Sequence, residues 1–479
     1  MSTGDLPLEQ LVHRASMAGL DGIVVTENYE LGVEYGLWPL RGLLRYRVGI
    51  PSVQAEGVAG YLDTVRRAQA RYPDMVIVPG LEVIPHYYWT GSLWNDNLTL
   101  HDTQKNLLLI GLDDTETVAA AFARPSDPLP VRLARLWPLV LLAPAVWLWR
   151  QKRVDKVRTK FYQLSRTRHR RLEAIAVLAI SGLLLADNLL TACRPFGAYQ
   201  ADPGERSAQR LIDQAQAAGA AAIWSLPEAS DFHQYRITRI AEELKERGGA
   251  AGLLGGPLGW LPWTITVKTD PYPDALTRTD GYTGFGALYQ DDVRIAEPGG
   301  AWDALLLAYT KGERTTPSWG VGELAYHQAG AGNKRLSDVQ TVVLARERSA
   351  KGALEAIKGG AFYARQRMPQ WGLVLGDWSI HLGGSQTTPT EAISGQSLGV
   401  ARTAPIIITL RVSATGGRSE TVKVKVIRSG QLWQEFSAVT PFTRQWEERA
   451  AAGGSYYRVE VGSGDQHLLS NPIFVATGG

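Results

Sequence analysis

The sequence predicts an α/β domain interrupted by a transmembrane helical hairpin and followed by an antiparallel β-sandwich. Three observations predict it. Short apolar strands alternate with amphipathic helices on both sides of the middle of the chain. Two uncharged apolar stretches flank a strongly basic segment near residues 133 to 192. From about residue 370 the hydrophobic pattern alternates with period two between Gly and Ser turns.

The first α/β half occupies residues 1–130. LEQLVHRASMA (8–18) reads as an amphipathic helix ended by Gly19, and GIVVT (22–26) as a strand. Residues 58–72 read as a helix, MVIV (75–78) as a strand stopped by Pro79-Gly80, and LLLI (107–110) as another strand. The second half, residues 195–368, holds helix 207–218, strand 220–224, helix 237–247, strand 284–289, strand 340–345 and helix 350–358. Strand and helix alternate in both halves, which predicts one parallel sheet completed across the insertion. Residues 369–479 then carry PIIITLRV (405–412), ETVKVKVI (420–427) and YYRVEV (456–461), the alternation of a sandwich.

The insertion, residues 131–194, pairs LWPLVLLAPAVWLW (136–149) with AIAVLAISGLLLA (174–186). Each is shorter than the roughly 20 residues of a full span. Trp137, Trp147 and Trp149 stand at the ends of the first stretch, where interfacial tryptophans belong. Pro138 and Pro144 are better tolerated in a membrane helix than in a soluble one. The competing reading is a pair of core helices joined by a solvated charge run. The linker 150–171 carries ten Lys and Arg against Asp155, a charge of +9 that leaves −6 on the rest of a chain whose net charge is +3. The basicity is therefore local, and no nucleic acid is expected as a partner. The charge rule puts this loop in the cytoplasm and both globular halves outside it, with the membrane as partner and anionic phospholipid as a further ligand of the basic loop.

Cys193 is the one cysteine, so no internal disulfide forms. The opening STGDLPLEQL reads as the middle of a loop running into a helix, and export of the first half needs an upstream signal. The expectation is a start upstream of Met1.

Several segments, taken in order, carry a family resemblance. LEQLVHRASMAGLDGIVVTENYE (8–30), VIVPGLEVIPHYYW (76–89), KNLLLIGL (105–112), AAIWSLPEA (221–229) and WGVGELAYH (319–327) follow one another as in PHP domains, the polymerase and histidinol phosphatase family. A subgroup with a mid-chain membrane insertion and a C-terminal β domain ending near SNPIFV (470–475) is similar over nearly the whole chain. The resemblance implies a distorted β/α barrel with its site at the strand C-termini. It also implies two or three divalent metals (Mn, Zn or Fe) held by His and carboxylates, and hydrolysis of phosphate esters on a phosphorylated small molecule.

The ligand positions depart from the family. The opening His-x-His would precede Ser2. At Thr-Asp-His the chain has Thr26-Glu27-Asn28. Glu82 is kept. The next His is Asn106, the His of the SHPEA segment is Leu226, the late Asp is Ala325, and His327 is kept. Of the six positions, two survive. Asn offers one neutral oxygen, and Leu and Ala cannot ligate. Substitutes near in sequence are His86, His101 and Glu27, with Glu228, His233 and Glu323 beside the other segments. Tyr87, Tyr88 and Trp89 follow Glu82 and read either as a stacking surface at the site mouth or as packing. Three functions follow: a degenerate PHP-like scaffold or binding module at the membrane, a metal-dependent phosphoesterase with a rebuilt site, or an envelope protein binding through its sandwich.

Overall fold

The computed structural model describes residues 6–30, 32–49, 52–123, 128–158, 163–190, 197–199, 202, 204–236, 264–289, 293–326, 334–367, 370–383 and 391–477. The chain divides into two compact units. One comprises Met1–Leu31, Pro51–Ala123 and Phe196–Gly479, the other Gly32–Ile50 and Arg124–Pro195.

The first unit is mixed α/β. Its central sheet has six strands in chain order: β1 (Gly22–Asn28), β2 (Val76–Val83), β3 (Leu107–Ile110), β4 (Ala221–Trp224), β5 (Gly284–Leu288) and β6 (Trp319–Gly322). The sheet has the form of half a barrel. β3 and β4 are buried at every position, which is why they read as unbroken apolar runs. Helices Leu8–Met17 and Val58–Arg71 close one side, packing Leu8, Val12, Ala15, Val65 and Ala68 on Val25 and Ile77. Helix Arg206–Ala217 buries Leu211, Ile212 and Ala215 in the main core.

The sheet is not wholly parallel, as the alternation had predicted. β1 and β2 are parallel, and so are β4, β5 and β6, but β3 runs against both its neighbours. A parallel return needs a long crossover, usually a helix. Between β2 and β3 the described chain offers a 3₁₀ turn (Leu93–Asn95) and short strands, so β3 comes back antiparallel. Those short strands, Tyr88–Thr90 and Leu98–His101, join Thr264–Thr269 and Asp231–Arg236 in a separate four-stranded sheet that the periodicity did not announce. The expected helix 237–247 lies outside the described residues.

Beyond residue 338 the unit is all strand apart from helix Ala350–Lys358 and a 3₁₀ turn. An eight-stranded and a four-stranded sheet share one core, which includes Trp378, Ile406, Ile408, Leu410, Val424, Val426 and Val459. Pro405–Ala414 alternates exposed and buried positions as expected. A second correction concerns strand 340–345, expected in the α/β sheet. Val339–Val343 instead pairs antiparallel with Phe362–Gln366, which pairs with Gln466–Ser470. Helix Ala350–Lys358 ends at Gly360, whose φ of 72° turns the chain back towards that sheet.

One ion pair ties helix Ala301–Thr310 to the late strand Ser455–Ser463. Arg458 Nε and Nη2 donate to the two oxygens of Asp303 at 2.8 Å each, and both side chains are fully buried. Tyr456 Oη and the Gly299 N–H complete the carboxylate at 2.8 Å. The guanidinium lies 4.9 Å from the Trp302 ring centroid.

The second unit holds two helical stretches long and apolar enough to cross a membrane, Leu129–Arg150 and Arg171–Leu189. Most of their apolar surface is exposed, Leu133, Val140, Trp147, Ile175 and Ile180 included, so they are not the core helices of a soluble domain. This surface associates the chain with a membrane. Ser181 Oγ donates to the Pro138 carbonyl at 2.7 Å and Asn188 Nδ2 to the Arg135 carbonyl at 3.0 Å. Such bonds satisfy backbone groups that lipid cannot. The basic linker, expected as a loop, contains strands Lys152–Arg158 and Gln163–His169 paired antiparallel. A second pair, Gly32–Gly36 with Arg45–Gly49, belongs to this unit.

Candidate functional site

One end of the half-barrel gathers most of the predicted positions. Asn28 stands at the end of β1 opposite Glu82 near the end of β2. Asn106 immediately precedes β3, whose Leu108 pairs with Glu82. Leu226 follows β4, and Glu323 follows β6, its N–H donating to the Leu288 carbonyl at 3.0 Å. Strands that run parallel deliver their C-termini to one end, and β3, running the other way, delivers its N-terminus there.

Glu82 and Asn106 are both buried. The Asn106 Nδ2 donates to Glu82 Oε1 at 2.5 Å. The amide therefore occupies one of the carboxylate oxygens. Asn106 Oδ1 has no partner among the described residues. Glu323 is held likewise by protein donors: the Leu226 N–H to Oε1, and Ser225 Oγ to Oε2 at 3.2 Å. Leu226 adopts φ 45°, a left-handed conformation costly for a branched side chain, and this turns its N–H onto the carboxylate. Gly286 makes the room, since a Cβ there would sit 2.0 Å from Glu323 Oε1. Tyr272, wholly buried, donates its hydroxyl to the Ser225 carbonyl.

Burial dominates the electrostatics. It pushes the Glu82 carboxyl up to about 7, the nearby Glu27 adding to the rise and the Asn106 amide opposing it. It also pushes Glu323 up to about 7, where the Leu226 N–H and Ser225 hydroxyl oppose and Glu82 adds. The two acids thus feel each other. A cavity of about 570 Å³ opens between the edge strands β1 and β6, lined by Val24, Val78, Leu108 and Val321 and by Arg348, Arg365 and Arg367, with Glu323 in its wall.

The sequence-neighbouring substitutes go elsewhere. His101 lies on the four-stranded sheet, 2.7 Å from Thr90 Oγ1 and stacked on Tyr88 with centroids 4.6 Å apart. His86 stacks on the other side of that family of rings, 6.2 Å from Tyr88. Tyr87 and Trp89 are buried. Glu228 accepts the N–H groups of Arg294 and Ile295, and His233 pairs with Asp231. Among His86, His101 and Glu27, the substitutes nearest Glu82 in sequence, Glu27 is the one whose charge reaches it. His327 lies outside the described residues. Glu323 was singled out in the sequence only as a neighbour of His327. Its signal was an acid directly after a short buried strand, whereas Glu82 lies within the last residues of its own.

Among the described residues no group of three or more His, Cys, Asp or Glu is arranged to hold a metal ion. Glu82 and Glu323, already engaged by an amide and a backbone N–H and flanked by Asn106 and Leu226, do not fit a multinuclear metal centre. No protein-family model matches the chain, and no curated protein matches it.

Proposed function

We propose that the chain is a membrane-anchored PHP-like protein whose metal site has degenerated, and that it serves as a non-catalytic scaffold or binding module. In this reading the half-barrel belongs to a PHP-like barrel split by the membrane hairpin, and the late sheets form a β-sandwich packed on it. The basic hairpin is cytoplasmic and the first unit lies outside. The observation that carries the proposal is the pair Glu82 and Glu323. Both are buried at the strand ends where the family binds metal, and both are satisfied by neutral protein donors. Without a metal, two acids repel a phosphate. The cavity beside Glu323 is lined by apolar side chains together with Arg348, Arg365 and Arg367, and suits a partly apolar ligand.

The phosphoesterase reading keeps one supporting observation, since carboxyls pushed up to about 7 cluster at active sites. Metal content decides between them. The full-length protein purified in detergent is compared by elemental analysis with a Glu82→Ala, Glu323→Ala double variant. The expected result is no stoichiometric metal in either and no metal-dependent hydrolysis of phosphate esters. Stoichiometric manganese, zinc or iron that is lost in the variant would overturn the proposal in favour of the enzyme.

A further inference from the structure

We infer that the turn joining Gly32–Gly36 to Arg45–Gly49 is a second membrane contact, which sets Trp38, Leu43 and Leu44 into the interfacial layer of a lipid bilayer at the end of the spans remote from the basic hairpin. Asp187 lies inside the second helical stretch, Arg171–Leu190, and is buried. A carboxylate at such a depth needs partners. Its Oδ1 accepts the Gly42 N–H at 2.6 Å and the Leu43 N–H at 2.8 Å. The turn is thereby tied to the helix.

Two further bonds make the turn a defined body: Leu37 N–H to the Leu44 carbonyl at 2.9 Å, and Leu44 N–H to the Leu40 carbonyl at 2.7 Å. Its apolar side chains face out. Trp38 is 80% exposed, Leu44 50% and Leu43 36%. In water this is an unfavourable cluster. The depth follows from helix geometry. Asp187 stands sixteen residues past Arg171, about 24 Å along the axis at roughly 1.5 Å per residue, against a hydrocarbon core of about 30 Å. The turn is thus held near the far boundary, the level at which Trp concentrates. The exposed Leu133 and Leu136 of the first stretch extend the same apolar surface, which makes lipid the occupant.

The test uses the full-length protein in phosphatidylcholine nanodiscs with Cys193→Ser. Trp38→Cys and Leu44→Cys are each labelled with an environment-sensitive fluorophore, and Met17→Cys, on a helix of the first unit, serves as the aqueous control. Quenching by iodide is compared with quenching by lipids carrying a spin label high on the acyl chain. Labels at 38 and 44 are expected to respond at least about threefold more to the lipid quencher, and the label at 17 to iodide. Asp187→Leu should release the turn and move its labels towards iodide access, while Asp187→Asn, which keeps an acceptor oxygen, should not. Free access of iodide to labels 38 and 44 in the parent would overturn the inference. Protection from both quenchers would also overturn it, since the turn would then be covered by protein.

Discussion

Asp303 and Glu82 are both buried acids of the same unit, and their surroundings differ in kind. Asp303 receives two guanidinium N–H groups, a tyrosine hydroxyl and a backbone N–H, so every lone-pair direction is met by a donor and the charge by a cation. Glu82 receives the Asn106 amide and lies near further acids, Glu27 and Glu323. The first arrangement is complete without a ligand. The second leaves a neighbouring oxygen, Asn106 Oδ1, unpartnered among the described residues. A structural acid brings its counter-ion with it. Glu82 has a neutral amide for its partner, and burial pushes its carboxyl up to about 7.

The largest effect should come from breaking the complete site. Asp303→Ala leaves Arg458 in the core with only Glu460 and the Ala296 carbonyl as polar partners among the described residues, and should cost about 3–5 kcal/mol in denaturant unfolding of the detergent-solubilised protein. Asp303→Leu with Arg458→Met should recover much of that loss, because the pair itself contributes far less than its halves cost when orphaned. A loss in the double variant as large as in Asp303→Ala would show that the pair, and not the orphaned charge, holds the helix to the strand.

The incomplete site should respond to pH in the opposite sense to a salt bridge. The Glu82 and Glu323 carboxyls are raised from 4.5 to about 7 in the folded chain. Their contribution is therefore fully present below about pH 4.5 and is lost as pH climbs through 7. Between pH 5 and 8 the wild type should lose stability, up to about 3 kcal/mol for either group. Glu82→Gln or Glu323→Gln should flatten that slope and raise stability at pH 8, read from thermal unfolding at both pH values. A Glu82→Gln protein less stable than wild type at pH 8 would mean that the carboxylate has a counter-ion.

Gly286→Ala should act through Glu323, at a cost of about 1–3 kcal/mol by crowding. The same change in a Glu323→Ala background should be close to neutral. Equal costs in both backgrounds would locate the strain in the backbone of β5 and not at the carboxylate.

Local patterns carried much of the architecture. LLLI (107–110) and helix 350–358 stand where the periodicity put them, because burial on both faces and amphipathic spacing are one-dimensional signals. Strand direction was not legible, since β3 reverses for want of a crossover and nothing within four leucine-like residues encodes that. The strand Val339–Val343 changed sheets for a similar reason: its partner is Phe362–Gln366, which in turn pairs with Gln466–Ser470 near the end of the chain. At the site, the juxtaposition of Asn28, Glu82 and Asn106 was visible through the resemblance. The Leu226 N–H on Glu323 was not, because a positive φ at leucine leaves no mark in composition. The turn on Asp187 escaped as well, since a bond across 145 positions is a property of the fold.

The pairing of β3 with β4 also bears on how the protein is made. Leu107 and Trp224 are register partners, and both membrane-crossing stretches are synthesised between them. At about 5–20 residues per second, roughly 5–25 s separate the emergence of the two strands. For that interval the first three strands present an apolar edge with nothing to pair against. The ribosome is meanwhile delivering two lipid-seeking helices. Completion of the sheet therefore waits until both apolar stretches have left the ribosome.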